Sequence, residues 1–130
     1  MNTVVVSVGS NIDPERNIEA ARELVAGEHE LVACSDFVHT APIDRPGQPD
    51  FLNGAFLLRT PLERPQLRAS LKRIENRLGR CHGPDKSAPR RIDLDIVVWN
   101  GRVVDRDYHT RDFLRDACRQ LLPDLEDGGA

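Results

Sequence analysis

Two β-α-β units in succession and a closing helix predict an α+β sandwich of ferredoxin-like type, a mostly antiparallel sheet with the two unit helices on one face. Three observations carry this expectation: short β-branched or alternating apolar runs, helical stretches with apolar stripes between them, and turn residues at the joints. At 130 residues the chain has the size of one domain, 1–130, with a single hydrophobic core.

The elements follow in order. "TVVVSVG" (3–9) is a β-branched run ending in glycine, suited to a central strand. In "DPERNIEAARELVAG", Asp13 is the expected N-cap, Pro14 the first helical residue and Gly27 the terminator, with Ile18, Ala21, Leu24 and Val25 on one stripe. "ELVACSDFVHT" (30–40) alternates loosely and reads as one second strand. "APIDRPGQPD" (41–50), with three prolines and a glycine, is loop. "FLNGAFLLRT" (51–60) is strand. Pro65 opens a second helix whose Leu67, Leu71, Ile74 and Leu78 share a stripe, and Gly79 closes it. After a polar, basic stretch (80–91) comes the strand "RIDLDIVVW", with Ile92, Leu94, Ile96 and Val98 toward the core, then an "NGR" turn. A last helix begins at Asp112, with Leu114, Ala117, Cys118, Leu121 and Leu122 on its stripe.

Composition excludes several function classes. A net charge of −3, from 18 basic and 21 acidic residues, gives no overall pull toward nucleic acid or an anionic membrane. No apolar run is long enough to span a bilayer, and "MNTVVVSVGSN" carries no charged leader or cleavage site, so a cytoplasmic protein is expected. Cys34, Cys81 and Cys118 are odd in number and far apart, which argues for reduced thiols rather than a disulfide framework or zinc site.

The chemistry concentrates in Asp93 and Asp95. Residues two apart on a strand point the same way, roughly 7 Å apart at Cα. Alternating polar residues are ordinary on a one-sided sheet, but aspartate is depleted in strands, and two in one short strand require a reason. Two carboxylates so spaced suit hard divalent cations, and Mg²⁺ is commonly held by one or two carboxylates together with substrate phosphates. Just upstream, Arg80, Lys86, Arg90 and Arg91 supply cations suited to a polyphosphate. No GxxxxGK[ST] is present, so a P-loop is excluded. "VGSN" (8–11) is read as a strand-to-helix turn.

The stretch "APRRIDLDIVV" resembles the signature of the 6-hydroxymethyl-7,8-dihydropterin pyrophosphokinase family, whose members move diphosphate from ATP to a pterin alcohol. The resemblance extends through "SVGSNIDPERNIEAA", "HTAPIDRPGQPDFLN" and "RIENRLGR", covering about residues 3–100 in order. It implies ATP and the pterin alcohol as substrates, two Mg²⁺ ions, and Asp93 and Asp95 as their ligands. It further implies Arg80 and Arg90 as catalytic phosphate-contacting arginines, with Glu75, His82 and Arg111 at the nucleotide side. Thr40, Pro42, Ile43, Phe51 and Asn53 correspond to the pterin pocket, and Phe113 to the ring facing Phe51 across the pterin. The chain departs from the family's pattern at His82 and Ser87, where a second cation and a tryptophan are usual. It departs again in the close spacing of His109 and Arg111, which leaves His109 as a surface residue and Arg106 without an assigned role. Two other readings stay open at this point: a non-catalytic pterin- or nucleotide-binding relative, and another metal-dependent phosphotransferase.

Overall fold

The computed structural model describes residues 1–41, 50–79 and 92–125. Its elements are β1 (Asn2–Ser10), α1 (Pro14–Glu28), β2 (Glu30–Cys34), β3 (Val38–Thr40), β4 (Phe51–Thr60), α2 (Arg64–Arg77), β5 (Asp93–Trp99), β6 (Arg102–Val103), α3 (Asp107–Thr110) and α4 (Asp112–Leu121). The sheet runs β2-β4-β1-β5-β6, with β3 also paired to β4, and each described pairing is antiparallel. Both β-α-β crossovers skip one strand, so β1 and β4 end up central. This is the expected α+β, ferredoxin-like order.

Local chemistry explains most boundaries. α1 begins at Pro14, whose missing N–H costs nothing in the first turn. Asp13 occupies the N-cap position in a left-handed conformation, φ 41°, and its side chain makes no capping bond. Gly27 does not end α1. The helix continues to Glu28 and stops at the extended His29, whose N–H donates to the Val25 carbonyl at 2.8 Å. A glycine terminates a helix only where the chain turns left-handed, and here it leaves directly into β2. α2 is closed at its start by a reciprocal capping box between Glu63 and Gln66, and ends in Gly79 at φ 84°. Asn100 and Gly101, at φ 51° and 80°, form the two-residue hairpin turn between β5 and β6.

The run 30–40 is two strands rather than one. Ser35 breaks it: its N–H donates to the Ala55 carbonyl, and its hydroxyl accepts from the Ala55 N–H at 2.8 Å. The chain then shifts so that Phe37 lies flat over Gly54, where an added Cβ would come within 2.7 Å of the ring.

Two apolar clusters form, one on each side of the sheet. α1 and α2 cover Val4, Val6, Val8, Phe56 and Leu58, as expected of helices sharing one face. α3 and α4 cover the opposite face, where Tyr108, Leu114, Ala117 and Cys118 pack with Val5, Ala55 and Leu57. An irregularity in the β1–β5 pairing sets the change of side. Val5 pairs with Val98 and Val6 with Ile96, leaving Val97 as an extra residue. Ile92 and Leu94 therefore sit in the α1/α2 cluster, whereas Val97 and Val98 both join the α4 cluster. Strict alternation had put Val98 with Ile92. Among the described residues no helix is long and apolar enough to cross a membrane.

Candidate active site

The antiparallel registers assemble the site. Gly9 on β1 stands opposite Asp93 on one side and Asn53 on the other. Ser7 stands opposite Asp95 and Ala55. Asn53 faces Val38, and Phe51 faces Thr40. Cross-strand partners project to the same side, so Asp93, Asp95, Asn53, Phe51 and Thr40 occupy one surface of the sheet. Asp93 and Asn53, in one row through Gly9, lie two strand spacings apart, about 10 Å. This surface continues the one covered by α4: its apolar half, Val5, Ala55, Leu57 and Val97, is buried under helices. Its polar half is only partly buried.

Gly9 makes the floor between the carboxylates and the amide. A Cβ there would stand 2.6 Å from the Asn53 Oδ1 and 3.9 Å from the Phe51 ring. Glycine thus lets the Asn53 side chain lie down over β1. The Asn53 Nδ2 donates to the Thr40 hydroxyl at 2.5 Å, which fixes the amide's orientation. Sequence reasoning had named Asn53, Phe51 and Thr40 but not Gly9; the signal was a glycine inside a strand, which often marks close backbone approach.

Burial, then the neighbouring Asp93 carboxylate, push the Asp95 carboxyl up to about 6. Lys72 works against this, while Glu75 and Asp105 add to it. Two like charges on one partly dry surface are what a bound cation would relieve. Hard oxygen donors of this kind fit Mg²⁺ or a similar ion. Among the described residues no group of three or more His, Cys, Asp or Glu converges on a point. Among the described residues the two aspartates form an open carboxylate pair rather than part of a closed cage. Asp105 is the neighbour that sequence reasoning missed. Its Oδ1 accepts from the Asp107 N–H at 2.9 Å, ahead of α3, and only the β5–β6 hairpin brings it near Asp95.

The remaining predicted residues are distributed unevenly. Glu75 is fully buried on α2, its Oε2 accepting from the Leu94 N–H at 2.7 Å and its Oε1 3.2 Å from the Lys72 ammonium. Phe113 is half-buried against the α4 cluster. Arg111 is half-buried and 3.9 Å from the Asp107 carboxylate. His109 is exposed and meets Tyr108 edge-on, in line with a surface role. Arg106 is exposed at the start of α3. Pro42, Ile43, Arg80, His82, Arg90 and Arg91 lie outside the described residues. Cys34 and Cys118 are free thiols; burial pushes the Cys118 thiol up to about 12. An open cavity of about 370 Å³ at the far end of the sheet is lined by Met1, His29, Arg59 and neighbours. None of the described site residues lines it.

Comparison with known proteins gives a consistent match. The model of the 7,8-dihydro-6-hydroxymethylpterin-pyrophosphokinase family matches residues 5–123. A 2-amino-4-hydroxy-6-hydroxymethyldihydropteridine pyrophosphokinase of Haemophilus influenzae is 28% identical over 96% of this chain and 84% of its own length. The protein of the same name from Synechocystis is 36% identical over 95% of this chain and 68% of its own length. A mitochondrial folate synthesis bifunctional protein of Pisum sativum is 38% identical over 94% of this chain, which spans 25% of that protein.

Proposed function

The chain belongs to the 7,8-dihydro-6-hydroxymethylpterin-pyrophosphokinase family and is an ATP-dependent diphosphotransferase of folate synthesis; from that premise we propose that Asp93 and Asp95 hold the metal-bound polyphosphate and Asn53 the pterin. The observation that carries this reading is the row Asp93–Gly9–Asn53, which sets a carboxylate pair and an oriented amide on one surface with no side chain between them.

In this reading the pterin ring lies against the Asn53 amide, which itself covers Gly9. An amide both donates and accepts, so Asn53, its Nδ2 committed to Thr40, offers its Oδ1 to ring N–H groups. Phe51 supplies apolar contact beside it. Phe113 and Arg111, on the α3–α4 side, flank the opposite edge, and Arg80, His82 and Arg90 carry the charge of ATP, with Pro42 and Ile43 completing the pterin pocket. Two Mg²⁺ ions, when bound, would neutralise the phosphate oxygens and fix their geometry. The pterin hydroxymethyl oxygen forms a bond to the β-phosphorus as the bond from that phosphorus to the AMP oxygen breaks. No protein nucleophile is required. Positioning and charge compensation supply the rate, as in phosphoryl transfer generally.

The test is AMP formation from ATP and Mg²⁺, with and without 6-hydroxymethyl-7,8-dihydropterin. Pterin-dependent AMP release that is lost in Asp95→Asn supports the assignment. Binding of the pterin with no AMP at any ATP concentration would contradict it.

A further inference from the structure

β5 is bonded to β1 along its inner edge, but β6 pairs only with Val98 and Trp99 on the outer one. Farther up, where Asp93 and Asp95 stand, the outer N–H groups of β5 need acceptors from elsewhere. Leu94, between the two aspartates, has such an acceptor: its N–H donates to Glu75 Oε2 at 2.7 Å. The acceptor is a carboxylate with no exposed surface, set on the helix covering the α1/α2 face and stabilised on its other oxygen by Lys72 at 3.2 Å. A fully buried carboxylate is costly unless it is bonded, and here the bond falls on the N–H of Leu94, the residue that lies between the two proposed metal ligands.

We propose that Glu75 is a positioning residue: through the Leu94 N–H it locks the outer edge of β5 and so fixes the separation of the Asp93 and Asp95 carboxylates. It does so by reach rather than by charge on the nucleotide, to which the sequence resemblance had assigned it. Lys72, the half-exposed partner, stands 3.2 Å from the other Glu75 oxygen and holds the carboxylate turned toward the Leu94 N–H. The inference rests on the reading of Asp93 and Asp95 as metal ligands. Outer groups that orient metal ligands typically cost about 10- to 100-fold in metal affinity when removed.

Two conservative variants of the full chain separate reach from charge. Glu75→Gln keeps the reach and an acceptor oxygen but removes the charge; Glu75→Asp keeps the charge and withdraws the oxygen by one methylene. The readouts are hydrogen exchange of the Leu94 amide by NMR and Mn²⁺ affinity in the presence of a non-hydrolysable ATP analogue, followed by paramagnetic resonance. For Glu75→Gln, a Leu94 exchange rate and Mn²⁺ affinity within about 3-fold of wild type are expected. Glu75→Asp should speed Leu94 exchange at least ~10-fold and weaken Mn²⁺ by ~10-fold or more. The reverse pattern, or equal loss of Mn²⁺ in both variants, overturns the proposal in favour of a charge role. Fast Leu94 exchange with unchanged Mn²⁺ affinity in Glu75→Asp also overturns it. Should Glu75→Asp fail to fold, Glu75→Gln decides alone: weakened Mn²⁺ with a protected Leu94 amide refutes reach, and retention of both supports it. If the wild-type chain holds no Mn²⁺ at all, the metal reading falls, while Leu94 exchange in the two variants still judges the hold of Glu75 on the strand.

Discussion

Replacing Asp95 by asparagine should inactivate the protein and, without metal, make it more stable. Burial and Asp93 raise the Asp95 carboxyl from 3.8 to about 6. At about 1.4 kcal/mol per tenfold change in proton affinity, the charged carboxylate costs the metal-free fold ~3 kcal/mol near neutral pH. That figure is an upper one, because the side chain retains partial access to water. From pH 3.8 to about 6 the unfolded chain releases this proton while the folded chain keeps it. Stability therefore falls as pH rises through that window and, for this group, is level above and below it. Asparagine has the same shape and no charge. At pH 7.5 with a chelator, Asp95→Asn should exceed wild type by ~1–3 kcal/mol in urea unfolding, and the two should converge below about pH 4. Adding Mg²⁺ with ATP should raise the wild-type midpoint and leave the variant's unmoved, while AMP formation falls at least ~100-fold. A variant no more stable than wild type at pH 7.5, or an advantage that persists undiminished at pH 4, would refute the electrostatic argument.

Other outcomes are equally specific. Gly9→Ala should drive the Asn53 amide away from Thr40 and weaken pterin binding ~10-fold or more, with folding stability changed by less than about 1 kcal/mol because a flexible side-chain tip gives way; calorimetry and urea unfolding check both halves. Asn53→Ala should weaken pterin binding by about 1–3 kcal/mol and ATP binding far less; equal losses by calorimetry would contradict the pterin assignment. Gly54→Ala, by contrast, meets the Phe37 ring at 2.7 Å inside the core, and thermal unfolding should show a loss of about 1–3 kcal/mol with substrate affinities kept. Burial holds the His29 imidazole below its ordinary 6.5, and its Nε2 is 2.8 Å from the Ser70 hydroxyl. This group's contribution is present above pH 6.5 and lost as pH falls through its depressed value, so in His29→Gln the stability curve below pH 6.5 should be flatter than in wild type.

Gly27 shows one limit of reading the chain locally. It has the residue type of a helix terminator, yet the signal acts only if the chain leaves left-handed, and the direction of departure is decided by where β2 must pair. Val98 shows another. A period-2 pattern assigns each residue to a face only while the strand stays in register, and the irregularity beside Val5 and Val6 exists only once β1 is opposite β5. Asp105 reached the aspartates for a related reason, through a hairpin and not through sequence spacing.

The chain alone determined the α+β order, because apolar periodicity, prolines at helix starts and the Asn100–Gly101 turn are all local physics. It also determined that Asp93 and Asp95 share a surface, since a strand has a period of two. What only the tertiary structure decided is what that surface contains. Register across four strands brought Asn53 and Thr40 alongside the carboxylates, put a glycine between them, and packing of α2 turned Glu75 inward onto the Leu94 amide. Those partners are distant in sequence, and hydrogen bonds and steric contacts between them form only when a particular pairing of strands and packing of α2 has been chosen.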